Sequence, residues 1–317
     1  WAMSAFELSR PAVEAAAASR SGPSDQRCPV RCREIGAADV DGVVELLTRG
    51  FGHGGGQWSR ALRRMADHEA PAGFPQYGYL LESEGRTVGA LLLIFARVSE
   101  AAPVRCNVSS WYVEPAFRSY GPLLARYATR RKDVTYFNLT PAPPTWRMLR
   151  AEGYTQYAQG RFAAVPLAAR PRLRTSVRPV GGLIGDTNHL PQAEFKLLFD
   201  HARRGCASLV CDEAGEQHPF VFAFRRLYGL FPVARLVYCR DLAAFVRFAG
   251  PLGRFLARRG CLFVFLDTNG PLPGLVGRYS DHSPKFYKGP CPMRAGDIAY
   301  SEQVMFGDWS DSRGARA

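Results

Sequence analysis

The stretch Val113-Glu114-Pro115-Ala116-Phe117-Arg118-Ser119-Tyr120-Gly121-Pro122-Leu123 joins a run of strand formers to a run with helical spacing. Upstream, residues 104–113 are rich in β-branched and aromatic side chains, which predicts a strand. Downstream, Leu123, Leu124, Tyr127 and Ala128 recur at helical intervals across 122–131. The first turn of a helix has backbone N–H groups without internal partners, and the helix dipole adds partial positive charge there. A strand-to-helix corner of this kind is therefore a candidate anion site. Gly121 would allow close approach, Pro122 suits a first turn with no N–H to spare, and Arg118 adds charge.

The same pattern occurs twice. Arg118, Gly121, Pro122 and Leu123 correspond to Arg247, Gly250, Pro251 and Leu252, each pair 129 residues apart (247 minus 118). Val104 with Val233, Val108 with Val237, Asn138 with Asp267, Pro144 with Pro273 and Gly160 with Gly289 keep that offset without a gap. Ahead of each motif lies a strand, an acidic turn and a second strand, with the turns at 82–85 and 212–215. Each half thus reads as hairpin, strand, R-x-x-G-P-L turn and helix, so internal duplication organises the chain.

The first half continues with a strand at 134–139, a Pro-rich break at 141–144 and a short helix closed by Gly153. Two amphipathic helices are expected ahead of the hairpin, over 38–48 and 57–68, joined by a glycine-rich loop. The expected organisation is a mobile arm over 1–29, a first domain over 30–165, a linker over 166–179, a second domain over 180–306 and a loose end over 307–317.

At the turn the sequence resembles the GNAT superfamily of N-acyltransferases. Val113, Pro115, Arg118 and Gly121 follow that family's strand end and pyrophosphate turn, Asn138 falls where the family often has an Asn near the pantetheine arm, and 149–154 resembles its helix ending. The resemblance implies an α/β (α+β) fold of two tandem GNAT-like domains, each a mixed, mostly antiparallel sheet flanked by helices. It also implies an acyl-CoA co-substrate, held by Trp111, Tyr112, Val113, Arg118, Ser119, Tyr120, Gly121, Pro122, Leu123 and Asn138, and an amine-bearing acceptor that attacks the thioester directly. A backbone N–H near 111–113 would stabilise the oxyanion. Candidate catalytic groups are Ser110, Tyr112, Tyr120, Tyr136 and Asn138, with Ser109 able to help orient a water, and His53 and Trp111 are candidate acceptor contacts. Two departures stand out: Leu123 replaces the small residue that ends the turn, and Leu149 stands where many members carry the Tyr that protonates the leaving thiolate. The second copy has Asp241-Leu242-Ala243 in place of V-x-P and is expected to be degenerate for CoA.

Composition bounds the alternatives. The 317 residues carry 41 Lys and Arg against 28 Asp and Glu, and 47% are hydrophobic, which suits two globular cores with an anion-attracting surface. An acyl carrier protein would suit that surface as donor. No nucleic-acid signature accompanies the arginines, so a polyanion-binding protein is the weaker reading, and a ligand-binding pseudo-enzyme is the closer competitor. The eight cysteines fit no zinc spacing and no dense disulfide scaffold, so no metal is expected and a cytoplasmic location follows as the expectation. Cys106 has no His partner by spacing and reads as a buried thiol. No apolar run approaches the roughly 20 residues that span a bilayer, and a monomer or homodimer is expected.

Overall fold

The computed structural model describes residues 29–52, 54–100, 102–170, 175–180 and 190–307. His53 and most of the expected arm and C-terminal end lie outside them. The first half runs β1 (Arg31–Glu34), α1 (Val40–Phe51), α2 (Gly55–Ala66), β2 (Gly78–Ser83), β3 (Arg86–Ala96), β4 (Arg105–Val113), α3 (Gly121–Ala128), β5 (Thr135–Asn138), α4 (Trp146–Ala151), β6 (Thr155–Ala158) and β7 (Gly160–Ala164). The second runs β8 (Thr175–Pro179), α5 (Gln192–Arg203), β9 (Ala207–Glu213), β10 (Glu216–Leu227), β11 (Phe231–Cys239), α6 (Leu242–Ala257), β12 (Val264–Thr268), β13 (Gly277–Ser280), β14 (Lys285–Lys288) and the single turn α7 (Glu302–Met305).

Local chemistry accounts for the repeated hairpins. Glu84-Gly85 and Ala214-Gly215 all have positive φ, the left-handed pair that matches the twist of two-residue hairpins. α1 buries Val43, Leu46 and Leu47 and stops at Gly52, whose φ of 66° lets its N–H reach Thr48 O.

The strands form two mixed sheets of seven, ordered β1-β2-β3-β4-β5-β14-β6 and β13-β7-β12-β11-β10-β9-β8. Antiparallel pairing dominates, as expected; the parallel pairs are β4 with β5 and β11 with β12. The halves exchange their last strands. β14 from the C-terminal half lies between β5 and β6, while β7 from the N-terminal half lies between β12 and β13. The chain crosses from one sheet to the other at Gln159, whose N–H donates to Asn269 Oδ1. At Gly160 a Cβ would stand 2.0 Å from Ser280 O, so only glycine fits the crossing.

Two expectations are corrected here. The stretch 166–179 is not simply a connector: Thr175–Pro179 forms the edge strand β8 on β9, and Pro166–Ala168 is a 3₁₀ turn seated on α6. The second R-x-x-G-P-L is no turn either, because Arg247 to Leu252 lie inside α6. There Gly250 and Gly253 face the backbone of 166–170, with virtual Cβ contacts of 2.6 Å to Arg170 O and 2.5 Å to Leu167 N. A Gly-Pro pair at i and i+1 reads as a helix start, whereas here it serves a close crossing of chain over helix.

The outer face of the first sheet packs on α3 and α4 through Leu91, Leu93, Cys106, Tyr136, Leu124 and Leu149. The second sheet packs on α6 through Phe220, Phe222, Phe245 and Phe248. The inner faces share one core with α1, α2, α5 and the tail from Ile298 to Met305. No helix among the described residues is long and apolar enough to cross a membrane.

Candidate active site

The organising feature is the separation of β4 from β5. The two are bonded in parallel only over Arg105–Asn107 and Thr135–Phe137, and residues 108–113 then pair with β3 alone. β5 ends at Asn138, whose Oδ1 accepts the Thr140 N–H at 3.2 Å and turns the chain away. Within β4 the register shifts so that Ser109 and Ser110 oppose the single residue Leu92, a bulge. The edge of β4 facing β5 therefore carries backbone groups outside any ladder at the mouth of the gap.

Side chains on the two faces of β4 divide the expected residues. Trp111 points toward α3, where Gly121 admits its indole; a Cβ at Gly121 would stand 3.2 Å from Trp111 Cζ2. The Trp111 Nε1–H is buried with no hydrogen-bond partner. Tyr120 packs partly on that same side. Tyr112 points the other way, against Phe51 at 6.1 Å between ring centroids and directly over Gly50.

The helix begins differently from expectation. Residues Pro115–Tyr120 form a 3₁₀ helix that runs straight into α3, so the head of the helical run is at Pro115 rather than near Tyr120. The Phe117 N–H donates to Glu114 O, and the Gly121 N–H donates to Arg118 O. No side chain caps this head, and Glu114 turns its carboxylate to Arg49 and Arg86 instead. Arg118, Ser119, Pro122 and Leu123 are exposed along the run.

Across the gap lies a residue that local sequence gave no reason to select. Glu302, on the C-terminal tail, accepts the Ser109 hydroxyl at 2.5 Å and the Thr140 hydroxyl at 2.7 Å. Its N–H donates to Asn107 Oδ1 at 2.7 Å, and Asn107 Nδ2 donates to Phe137 O. Burial pushes the Glu302 carboxyl above the usual range, and the two hydroxyls and the positive field of Lys285 oppose that only in part. The tail is held by a partly buried Arg105–Asp297 ion pair at 2.9 Å and by His201, whose Nε2 accepts the Tyr300 N–H while Nδ1–H donates to Leu197 O.

The remaining expected residues do not converge. Tyr136 faces the α3 side beside Cys106, away from the bulge, in the wall of a cavity of about 410 Å³ that Arg126, Arg130, Arg131 and Lys288 also line, and its hydroxyl is buried. That removes Tyr136 from the set around Ser109. Asn138 spends its carbonyl on the local turn, Leu149 is buried in the core, and burial pushes the Cys106 thiol well up. His53 lies outside the described residues. Ser110, Trp111 and Tyr112 stay at the gap, and Asn107, Thr140 and Glu302 join them.

The second sheet has the corresponding separation, since β11 and β12 pair only at Ala234–Val264 and Arg235–Phe265. Its contents differ. A buried Arg235–Asp267 pair sits between the strands, and α6 starts at once, capped by Asp241, whose carboxylate accepts the Ala244 N–H at 2.6 Å.

Solved structures with this architecture include GCN5-related N-acetyltransferases. That of Anabaena variabilis is 11% identical with a TM-score of 0.53, over 82% of this chain and 72% of that one. That of Kribbella flavida is 14% identical with a TM-score of 0.52, over 82% and 71%, and that of Sphaerobacter thermophilus 14% with 0.50, over 84% and 98%. The likeness is one of fold, and it makes this chain a tandem GNAT-like structure, as the sequence resemblance implied. No protein-family model and no curated protein sequence matches the chain.

Proposed function

We propose that the protein is an acyl-CoA-dependent N-acyltransferase that moves an acyl group from a thioester to the amine of a small molecule, amino sugar or peptide. The observation that carries this reading is the departure of β4 from β5 at the bulged Ser109-Ser110, next to a helical head with no side-chain cap. The fold shared with N-acetyltransferases supports it. An extended thioester with amide groups needs unpaired backbone edges and donors along its path. The ladder-free edge of β4 and the buried, unpartnered Trp111 Nε1–H meet that need, so the residues fit such a substrate. Arg118 and the exposed 3₁₀ run would hold the diphosphate, with Ser119 and Tyr120 beside it; Gly121, whose N–H already donates to Arg118 O, makes room for the Trp111 indole.

The thioester supplies an activated carbonyl. Backbone N–H groups at 111–113 would stabilise the charge that develops on its oxygen, and the amine must lose a proton as the new bond forms. Glu302, with its raised basicity and its hydrogen bond from Ser109, is the group we assign to receive that proton, with Ser109 as relay. Tyr120 is the candidate acid for the leaving thiolate, since Leu149 offers none. In the second half the Asp241 carboxylate occupies the helix head that an anion would need, which supports a degenerate role there. Acyl-CoA or an acyl carrier protein would be the donor.

The test is incubation with a panel of acyl-CoAs and amines while thiol release is read. Release with at least one donor supports the proposal, and failure of every CoA species to bind would end it. Stabilisation by CoA without release would point instead to a binding module, a reading favoured by the way Glu302 is already engaged by two hydroxyls.

A further inference from the structure

We propose that the protein docks on anionic lipid bilayers through the tip of its β10–β11 hairpin, an inference that does not depend on the transfer reading. Tyr228, Leu230 and Phe231 at that tip are 65%, 72% and 62% exposed. Leu262 and Phe263 extend the same surface. They precede β12, whose parallel register with β11 sets them beside Pro232 and Val233, and the Ala234 N–H donates to Phe263 O at 2.9 Å. Five large apolar side chains thus share one end of the second sheet, a patch of the kind that marks an interaction site.

The turn itself is unusual in its occupant. Tyr228 and Gly229 have φ of 55° and 74°, with the Leu230 N–H on Leu227 O. Such turns favour Asn, Asp or Gly at the first position, and an aromatic residue there is held at a conformational cost. Among the described residues, the hairpins at 84–85 and 214–215 share this geometry and carry Glu84 and Ala214 at that place. Strained backbone that presents a large side chain to solvent is a reason to look for a ligand.

Charge identifies the occupant. The segments 224–233 and 254–264 contain Arg225, Arg226, Arg254, Arg258 and Arg259 and no Asp or Glu. A second copy would set these arginines against their own kind. A bilayer with anionic headgroups complements them, and a convex tip enters a surface that deforms around it, with Tyr and Phe at the interface and arginine stems along the acyl boundary. The corresponding connection of the first half, 97–104, has Glu100 and no aromatic side chain, so the fold does not require such a patch.

The experiment is sedimentation of the full chain with vesicles of phosphatidylcholine alone or with about one third phosphatidylglycerol. Binding is expected to the anionic vesicles only, weakening between about 50 and 300 mM salt. A Tyr228→Ser, Leu230→Ser, Phe231→Ser variant and an Arg258→Glu, Arg259→Glu variant, each with unchanged circular dichroism and melting, should each lower the bound fraction about tenfold. Failure of the wild type to sediment with anionic vesicles overturns the proposal, and so does equal binding by all three proteins. A tip variant that changes only the mass in light scattering would assign the patch to a second copy.

Discussion

The Glu302 carboxylate accepts the Ser109 hydroxyl at 2.5 Å across 193 residues of sequence, and its other oxygen accepts Thr140, so one side chain from the C-terminal tail ties together the two walls of the gap in the first sheet. A strut and a base would share this geometry, and titration separates them.

If Glu302 receives the proton, Glu302→Gln should lower kcat by about 10²- to 10⁴-fold. It should also remove the acidic limb of the pH profile. The sign follows from the raised basicity: activity climbs as pH rises through the carboxyl's own pKa, and Gln has none. The ionised form is the one disfavoured by burial, so the variant should unfold at the same or higher denaturant concentration at neutral pH. Unchanged kcat with lower stability would identify a strut.

His201 is fully buried and its pKa is pushed down to about 4, chiefly by burial. A depressed pKa means that the stability it contributes is complete above about 6.5 and is lost as pH falls toward 4, up to about 3 kcal/mol. Urea unfolding across that window should show the loss. His201→Gln can still accept the Tyr300 N–H and should flatten most of the slope, the rest coming from His68, which burial lowers too.

Two helical glycines, Gly253 of α6 and Gly121 at the start of α3, should respond unequally. Gly253→Ala in α6 places a Cβ against the backbone of Pro166 and Leu167, which cannot yield, and should cost about 1–3 kcal/mol even though Ala is the better helix former. Gly121→Ala meets the Trp111 ring at 3.2 Å and Val113 at an ordinary 3.8 Å and should cost less than about 1 kcal/mol, while disturbing any ligand beside that ring. Paired denaturation curves decide this.

Arg118→Ala should raise KM for acyl-CoA about tenfold and leave kcat and Tm nearly unchanged, as expected for a charge-assisted contact to a phosphate made from an exposed position. Loss of kcat without a change in KM would place Arg118 elsewhere in the reaction.

Much of the fold was legible because its signals are local. Glu84-Gly85 and Ala214-Gly215 announce hairpins, the apolar faces of α1 and α2 announce helices, and the offset of 129 residues also relates the strand pairs Arg105–Thr135 and Ala234–Val264 (234 minus 105). Other features depend on contacts made far along the chain. Gly250-Pro251 reads as a helix start and instead lies inside α6, because the segment 166–170 crosses there. Nothing in Thr155–Ala164 tells that Gln159 passes from one sheet to the other. At the gap, Ser110, Trp111 and Tyr112 could be named because a strand ending beside a turn is a local pattern. Glu302 could not, since its meaning comes from Ser109 and Thr140, and Tyr136 was misplaced because alternation along β5 does not reveal which face meets the bulge.

The traded strands β7 and β14 make the two halves mutually dependent in a way that duplication alone would not. Among the named strands β6 bonds only to β14, so a fragment ending at residue 165 would lose a strand and leave β6 with no neighbour. Neither copy can be excised, replaced or allowed to decay beyond recognition without dismantling the other. A half that had lost every chemical duty would still be retained as the scaffold of its twin.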